Sequence, residues 1–182
     1  MAWTTPRTWV AGETVSAALM NVHVRDNLNL LASYFNLTTG YPAYLQEVRQ
    51  TGDVTKNNST VLGNLTGLVF NTAANETWIF IAPLHLISAS GAGAKFGITY
   101  PAGATGRLAV VPVHASAASS AAVASTIVMT TIGTVDQGAV IYGLVINGAT
   151  PGTVQLQFAQ AAAQVSNSIV YTNSALIAVR IG

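Results

Sequence analysis

From residue 45 onward, apolar and polar residues alternate over short runs. Val154, Leu156 and Phe158 alternate with Gln155, Gln157 and Ala159, the period-two pattern of a strand with one face buried. Residues 77–88 are apolar at both parities. Trp78, Phe80 and Ala82 fall on one side and Ile79 and Ile81 on the other, which predicts a strand apolar on both faces. The same reading, helped by the enrichment in β-branched residues, places strands at 45–50, 59–62, 67–71, 95–100, 108–114, 123–132, 139–146, 169–171 and 176–181. Turn-forming runs separate them: Asn57-Asn58-Ser59, Ala73-Ala74-Asn75, Ser90-Gly91-Ala92-Gly93, Pro101-Ala102-Gly103, Asn147-Gly148-Ala149 and Pro151-Gly152. Short strands punctuated in this way predict an antiparallel, jelly-roll-like β-sandwich. Residues 115–124 are almost all Ala and Ser. They fit either a loop or a strand packed closely at a subunit contact.

The first 42 residues follow a different pattern. Residues 13–35 contain no Gly or Pro, and Thr14 or Ser16 suits the N-cap of a helix. Val15, Leu19 and Val22 stand at helical spacing, and Val24, Leu28, Leu31 and Phe35 repeat it. Arg25, Asp26, Asn27 and Asn29 then lie largely on the opposite, polar side. Residues 36–42 should end the helix, with Gly40 as its stop. Before it, Trp3-Thr4-Thr5-Pro6-Arg7-Thr8-Trp9-Val10-Ala11-Gly12 has too many breakers for a helix and reads as an extended arm. Its two Trp are expected to dock on something, because exposed indoles are unfavourable. The chain therefore divides into an arm and one α-helix over 1–42 and a mainly β domain over 43–182.

Charge changes the picture. Asp, Glu, Lys and Arg make up 7% of the 182 residues, where about 25% is usual. Eight of the thirteen charged residues lie at or before Lys56. Beyond it only Glu76, Lys95, Arg107, Asp136 and Arg180 remain. A free monomer normally covers itself with charge, so the β domain is expected to bury much of its surface against other chains. Net charge is +1 with no basic run, which argues against nucleic-acid binding. The longest uncharged stretch of high hydropathy, 108–135, is interrupted by Pro112, His114 and many Ser and Thr, so no membrane span is predicted. The opening residues are polar and predict no secretory signal.

Candidate chemistry is sparse. Cysteine is absent, and no His or carboxylate spacing matches a metal site. His23, His85 and His114 are the available bases. None sits in a motif with a nucleophile and an orienting acid, and the six carboxylates are scattered. The run Gly91-Ala92-Gly93-Ala94-Lys95-Phe96-Gly97 lacks the spacing of a phosphate loop and leads into a strand. The chain is expected to be no enzyme and to need no cofactor.

The run Trp3-Thr4-Thr5-Pro6-Arg7-Thr8-Trp9-Val10-Ala11-Gly12-Glu13, with Val15-Ser16-Ala17, Asn21 and Val24-Arg25-Asp26-Asn27-Leu28, resembles the N-terminal signature of bacteriophage virion proteins. These are tail-fibre, minor tail, head-fibre or decoration proteins. Asp53-Val54-Thr55-Lys56, Leu65-Thr66-Gly67-Leu68 and residues 152–160 also resemble the β domain that follows in such proteins. The resemblance implies a homotrimer on the virion surface, attached through its N-terminal segment. The expected partners are further copies of the chain and the major capsid protein or another virion protein, with no membrane and no nucleic acid. Trp3, Arg7, Trp9, Arg25, Asp26 and Leu28 are the expected attachment residues. A capsid decoration or head-fibre role is the leading expectation, because the chain has no long shaft. The alternative is a tail-fibre or minor tail protein whose polar loops contact a host surface glycan.

Overall fold

The structure, a computed structural model, describes residues 4–5, 7–35, 44–89, 91–113, 119–129 and 136–182. The chain divides into two compact units, Met1–Gln46 and Glu47–Gly182.

The first unit is an arm followed by a helix. The helix begins at Ala17, after the second of the two N-cap candidates. Ser16 is extended, and its Oγ accepts from the Leu19 N–H at 3.2 Å, so Ser16 is the N-cap and Val15 lies outside the helix. The helix runs as α1 (Ala17–Met20), a π-helical turn (Asn21–Arg25) and α2 (Asp26–Phe35). The predicted stop at 36–42 lies outside the described residues.

The second unit is a sandwich of two antiparallel sheets. One sheet holds β3 (Gly63–Thr72), β10 (Gly152–Gln160), β5 (Ala94–Thr99) and β8 (Ile127–Met129), in that order. The other follows the order β1 (Leu45–Arg49), β12 (Ala175–Arg180), β4 (Thr77–Ile87), β9 (Gln137–Ile146), β6 (Thr105–Pro112) and β7 (Ser119–Ala122). β11 (Ser168–Val170) pairs with both β4 and β2 (Val54–Lys56). Successive strands β3, β4, β5 and β6 alternate between sheets, as do β8, β9, β10 and β11. Alternation of this kind makes the sandwich jelly-roll-like and brings residues distant in sequence into one core.

The core lies between the sheets. Trp78, Phe80, Leu84 and Leu86 of β4 face Phe70, Phe96, Leu156 and Phe158 of the other sheet, all buried. Phe70 stacks at a tilt on Trp78 at 5.5 Å and on Phe80 at 5.6 Å. Gly143 stands opposite Phe80 in the β4–β9 ladder, and a Cβ there would lie 1.9 Å from the Phe80 ring. The glycine leaves the space that the ring fills.

Pro83 lies within β4, a strand paired on both edges, where a missing N–H is normally excluded. One edge of β4 pairs with β12 over Trp78–Ile81 and with β11 at Leu86 and Ile87, so Pro83 falls in the gap between them. Ser174 closes that gap: its Oγ accepts from the His85 N–H at 3.1 Å.

Residues 59–62, predicted as a strand, form none. The buried Gln160 side chain accepts from the Ser59 N–H at 3.2 Å, and the Ser59 carbonyl accepts from the Gln160 N–H at 3.2 Å. The Ser59 Oγ accepts from the Val61 N–H. These backbone groups are already used, and strand geometry shifts to β2 and to an earlier start of β3. Of the predicted strand 123–132, only 127–129 is strand. The Ser125 N–H donates to the Ala122 carbonyl and closes a turn, the Val123 N–H donates to the Gly106 carbonyl, and 130–132 lie outside the described residues. Within the Ala/Ser stretch, 119–122 is a strand on the edge of the larger sheet.

Candidate assembly surfaces

Two regions present residues suited to contact with other chains, one in each unit.

In the first unit the arm is tied down by Asn27. The Thr4 N–H donates to Asn27 Oδ1 at 3.0 Å, and Asn27 Nδ2 donates to the Thr4 carbonyl at 2.8 Å. Asn27 was expected on the exposed side of the helix and is buried instead. Its amide satisfies backbone that the arm cannot satisfy itself. Arg7 pairs with Glu13, and its guanidinium lies 4.9 Å from the Trp9 ring centroid. Glu13 Oε2 also accepts from the Val10 N–H, which closes the turn at Ala11 and Gly12. Trp9 meets His23 edge-on at 6.4 Å and stays 40% exposed.

Of the expected attachment residues, Arg7 and Trp9 are therefore together, with Glu13 as a third member. Arg25 and Asp26 form an adjacent pair at 2.8 Å, both reaching solvent. Leu28 is 58% exposed, and Met20, Val22 and Leu31 are exposed as well. Trp3 lies outside the described residues.

In the second unit the outward face of the larger sheet is apolar. β4 points Ile79, Ile81 and Pro83 outward, while its inward residues fill the core. Registers carry this across neighbouring strands. Val179, Ile79, Leu144, Arg107 and Ala122 form one row. Ile177, Ile81, Tyr142, Ala109 and Ser120 form the next. Pro83, Val140 and Val111 form a third. A shallow open groove of about 390 Å³ runs between Ile79, Ile81, Leu144, Tyr142 and Ala109, with Arg107 at its rim.

His85 stands at one end of this face. Its Nε2 is 3.5 Å from Asp136, and its ring lies 4.7 Å from that of Tyr171. Burial and the nearby Asp136 carboxylate push the Tyr171 phenol above its ordinary pKa. The Ser174 hydroxyl contacts the His85 main chain, not its ring. This is the geometry of a braced strand end, not of an activated nucleophile. His114 lies outside the described residues. No group of three His, Cys, Asp or Glu residues among the described residues is placed to hold a metal. No helix among them is long and apolar enough to cross a membrane. Gly91 and Gly93 have left-handed backbone and form a tight turn into β5.

No protein-family model matches the chain, and no curated protein does. Among solved structures, the tripod (BppUct-A-L) from the baseplate of bacteriophage Tuc2009 aligns over 100% of this chain and 77% of that chain. The identity is 10% and the TM-score 0.32. A likeness that distant carries no argument here.

Proposed function

We propose that the chain is a non-enzymatic structural protein of a bacteriophage particle, a homotrimeric capsid decoration or head-fibre protein. Its N-terminal unit attaches to the major capsid lattice, and its sandwich joins the copies. The observation that carries this reading is the division of the chain. One unit is an arm and helix in a segment that resembles phage virion proteins, with Arg7, Trp9, Glu13, Arg25 and Asp26 held there by local pairs. The other is a charge-poor sandwich whose outward sheet face is apolar.

Attachment works by multivalency. Three N-terminal units on one trimer bind together, because the first contact raises the effective concentration of the other two. Labelled antibody on intact particles tests the site: label over the head supports the decoration reading. Label confined to tails overturns it and favours a tail-fibre protein. Particles that carry no copy of the chain would overturn both.

A further inference from the structure

The N-terminal arm is folded back on its helix by contacts within the chain. Two helical residues on neighbouring turns hold it at two points. The Asn27 amide takes both the N–H and the carbonyl of Thr4, and the His23 ring meets Trp9 edge-on. Between arm and helix the chain reverses at Ala11 and Gly12, where Gly12 has left-handed backbone at φ 82°. That reversal is closed twice. The Glu13 N–H donates to the Val10 carbonyl at 3.0 Å, and Glu13 Oε2 accepts from the Val10 N–H at 3.2 Å.

Asn27 is out of place in a helix unless the arm is docked. Asn is a poor helix former, because its amide competes for backbone groups. Here it is the second residue of α2 and only 5% exposed. Its Oδ1 accepts from the Thr4 N–H, and its Nδ2 donates to the Thr4 carbonyl and, at 3.3 Å, to the His23 carbonyl of the π-helical turn. Releasing the arm takes Thr4 from both ends of the amide, and a buried polar group that loses its partner is costly. The residues left open around it are Trp9, Arg25 and Leu28. Asn27 itself is enclosed, so it holds the arm without reaching anything outside the chain.

We infer that Asn27 is the positioning residue of the attachment segment: by docking the arm it presents Arg7 and Trp9 to the particle in one arrangement. The inference rests on the attachment reading above. An undocked arm keeps every contact residue but has to be ordered during binding. The apparent affinity then falls by the fraction of time the arm is docked. Asn27 acts through Arg7 and Trp9 and not by contact of its own.

Cosedimentation of the full chain with particles stripped of this protein tests this, alongside nuclear Overhauser contacts between the Trp9 and His23 rings in the unbound chain. Asn27→Ala removes the hold and supplies a better helix former, so the helix persists. Thr4→Pro removes one of the same bonds from the arm side, since Pro has no N–H to donate, and leaves the helix untouched. Each variant is expected to lose the Trp9–His23 contacts and to keep the native mass in solution. Each is expected to bind about tenfold more weakly, the loss for an arm docked a tenth of the time. The double variant is expected to bind no more weakly than Asn27→Ala alone, because both changes break one contact. Native binding by a variant whose Trp9–His23 contacts are lost would overturn the inference and leave the attachment reading intact. Losses that multiply to about a hundredfold in the double variant would do the same. Ring contacts that persist in both variants would also overturn it, since the arm would then be held without Asn27. A native chain that does not bind stripped particles would overturn the attachment reading, and this inference with it.

Discussion

Glu76 shows how one carboxylate can hold several elements. It accepts from the Ala73 N–H at 2.7 Å, from Trp78 Nε1 at 2.9 Å and from Arg180 Nη1 at 2.7 Å. It thereby joins the turn after β3, the core strand β4 and the end of β12. Burial alone would push its pKa up, but the Ala73 N–H, the Arg180 guanidinium and the Trp78 indole outweigh that, and the pKa lies below its ordinary value. A carboxyl with a depressed folded pKa contributes stability that is present above its unfolded pKa. That contribution is lost as pH falls through the folded value. Glu76→Gln is therefore expected to cost about 1–2 kcal/mol at neutral pH, with the difference from the native chain shrinking in acid. Urea midpoints measured from pH 7 down to pH 3 check it; a constant difference would contradict it. Gly143 offers a second test at this scale. Gly143→Ala forces a methyl into the Phe80 ring, and overpacking of that sort costs about 1–3 kcal/mol. An unchanged denaturation midpoint would show that the ring moves aside freely.

The strands were legible wherever period and burial agree. β4 is the plainest example: its two apolar parities correspond to the core on one side and the outward face on the other. Alternation cannot reveal competition for backbone groups. Residues 59–62 carry strand-forming residues, but Gln160, a hundred positions away, takes the Ser59 hydrogen bonds. The π-helical turn over Asn21–Arg25 was equally hidden, because it depends on hydrogen-bond geometry and not on residue type. Asn27 misled for the same reason. Its polarity suggested solvent, yet its amide is buried as the strap for Thr4. Asn27→Ala is expected to release the arm, with faster amide exchange at Thr4 and its neighbours and no change in the melting of the sandwich. Unchanged exchange would mean that other contacts hold the arm. Ser16→Ala should fray the first helical turn at a cost of about 1 kcal/mol, read as faster exchange over Ala17–Met20.

At the scale of the whole molecule the low charge of the second unit has a physical consequence. A sandwich that leaves apolar rows in water is driven to cover them, and in the proposed function other copies of the chain do so. The candidate face could be only half read from the sequence. The two apolar parities of 77–88 marked a strand buried on both faces, which left open whether another sheet or another chain covers the second face. The structure places the other sheet on the Trp78 and Phe80 side alone. The proposed attachment residues rest on a sequence resemblance, whereas the pairing of Arg7 with Glu13 and the stacking on Trp9 depend on a turn that no periodicity announces.

The two units, on this reading, are coupled through affinity alone. A single N-terminal segment needs only weak affinity if three are carried by one trimer, since linked sites gain about 10²–10⁴ in apparent affinity without a new contact. That coupling separates the roles of the units. Ile81→Lys leaves every residue of the attachment segment in place but removes the linkage between copies. Its binding to particles stripped of this protein is expected to fall by at least about a hundredfold, and the remaining binding should match that of a single segment. Trp9→Ala should instead keep the oligomer and weaken each contact, so that binding falls while the mass in solution does not change. Cosedimentation with stripped particles, alongside light scattering on the same samples, reads both quantities. If the monomeric variant bound as tightly as the native chain, attachment would not depend on several simultaneous contacts. The sandwich face would then serve the shape of the protein on the particle and not its hold there.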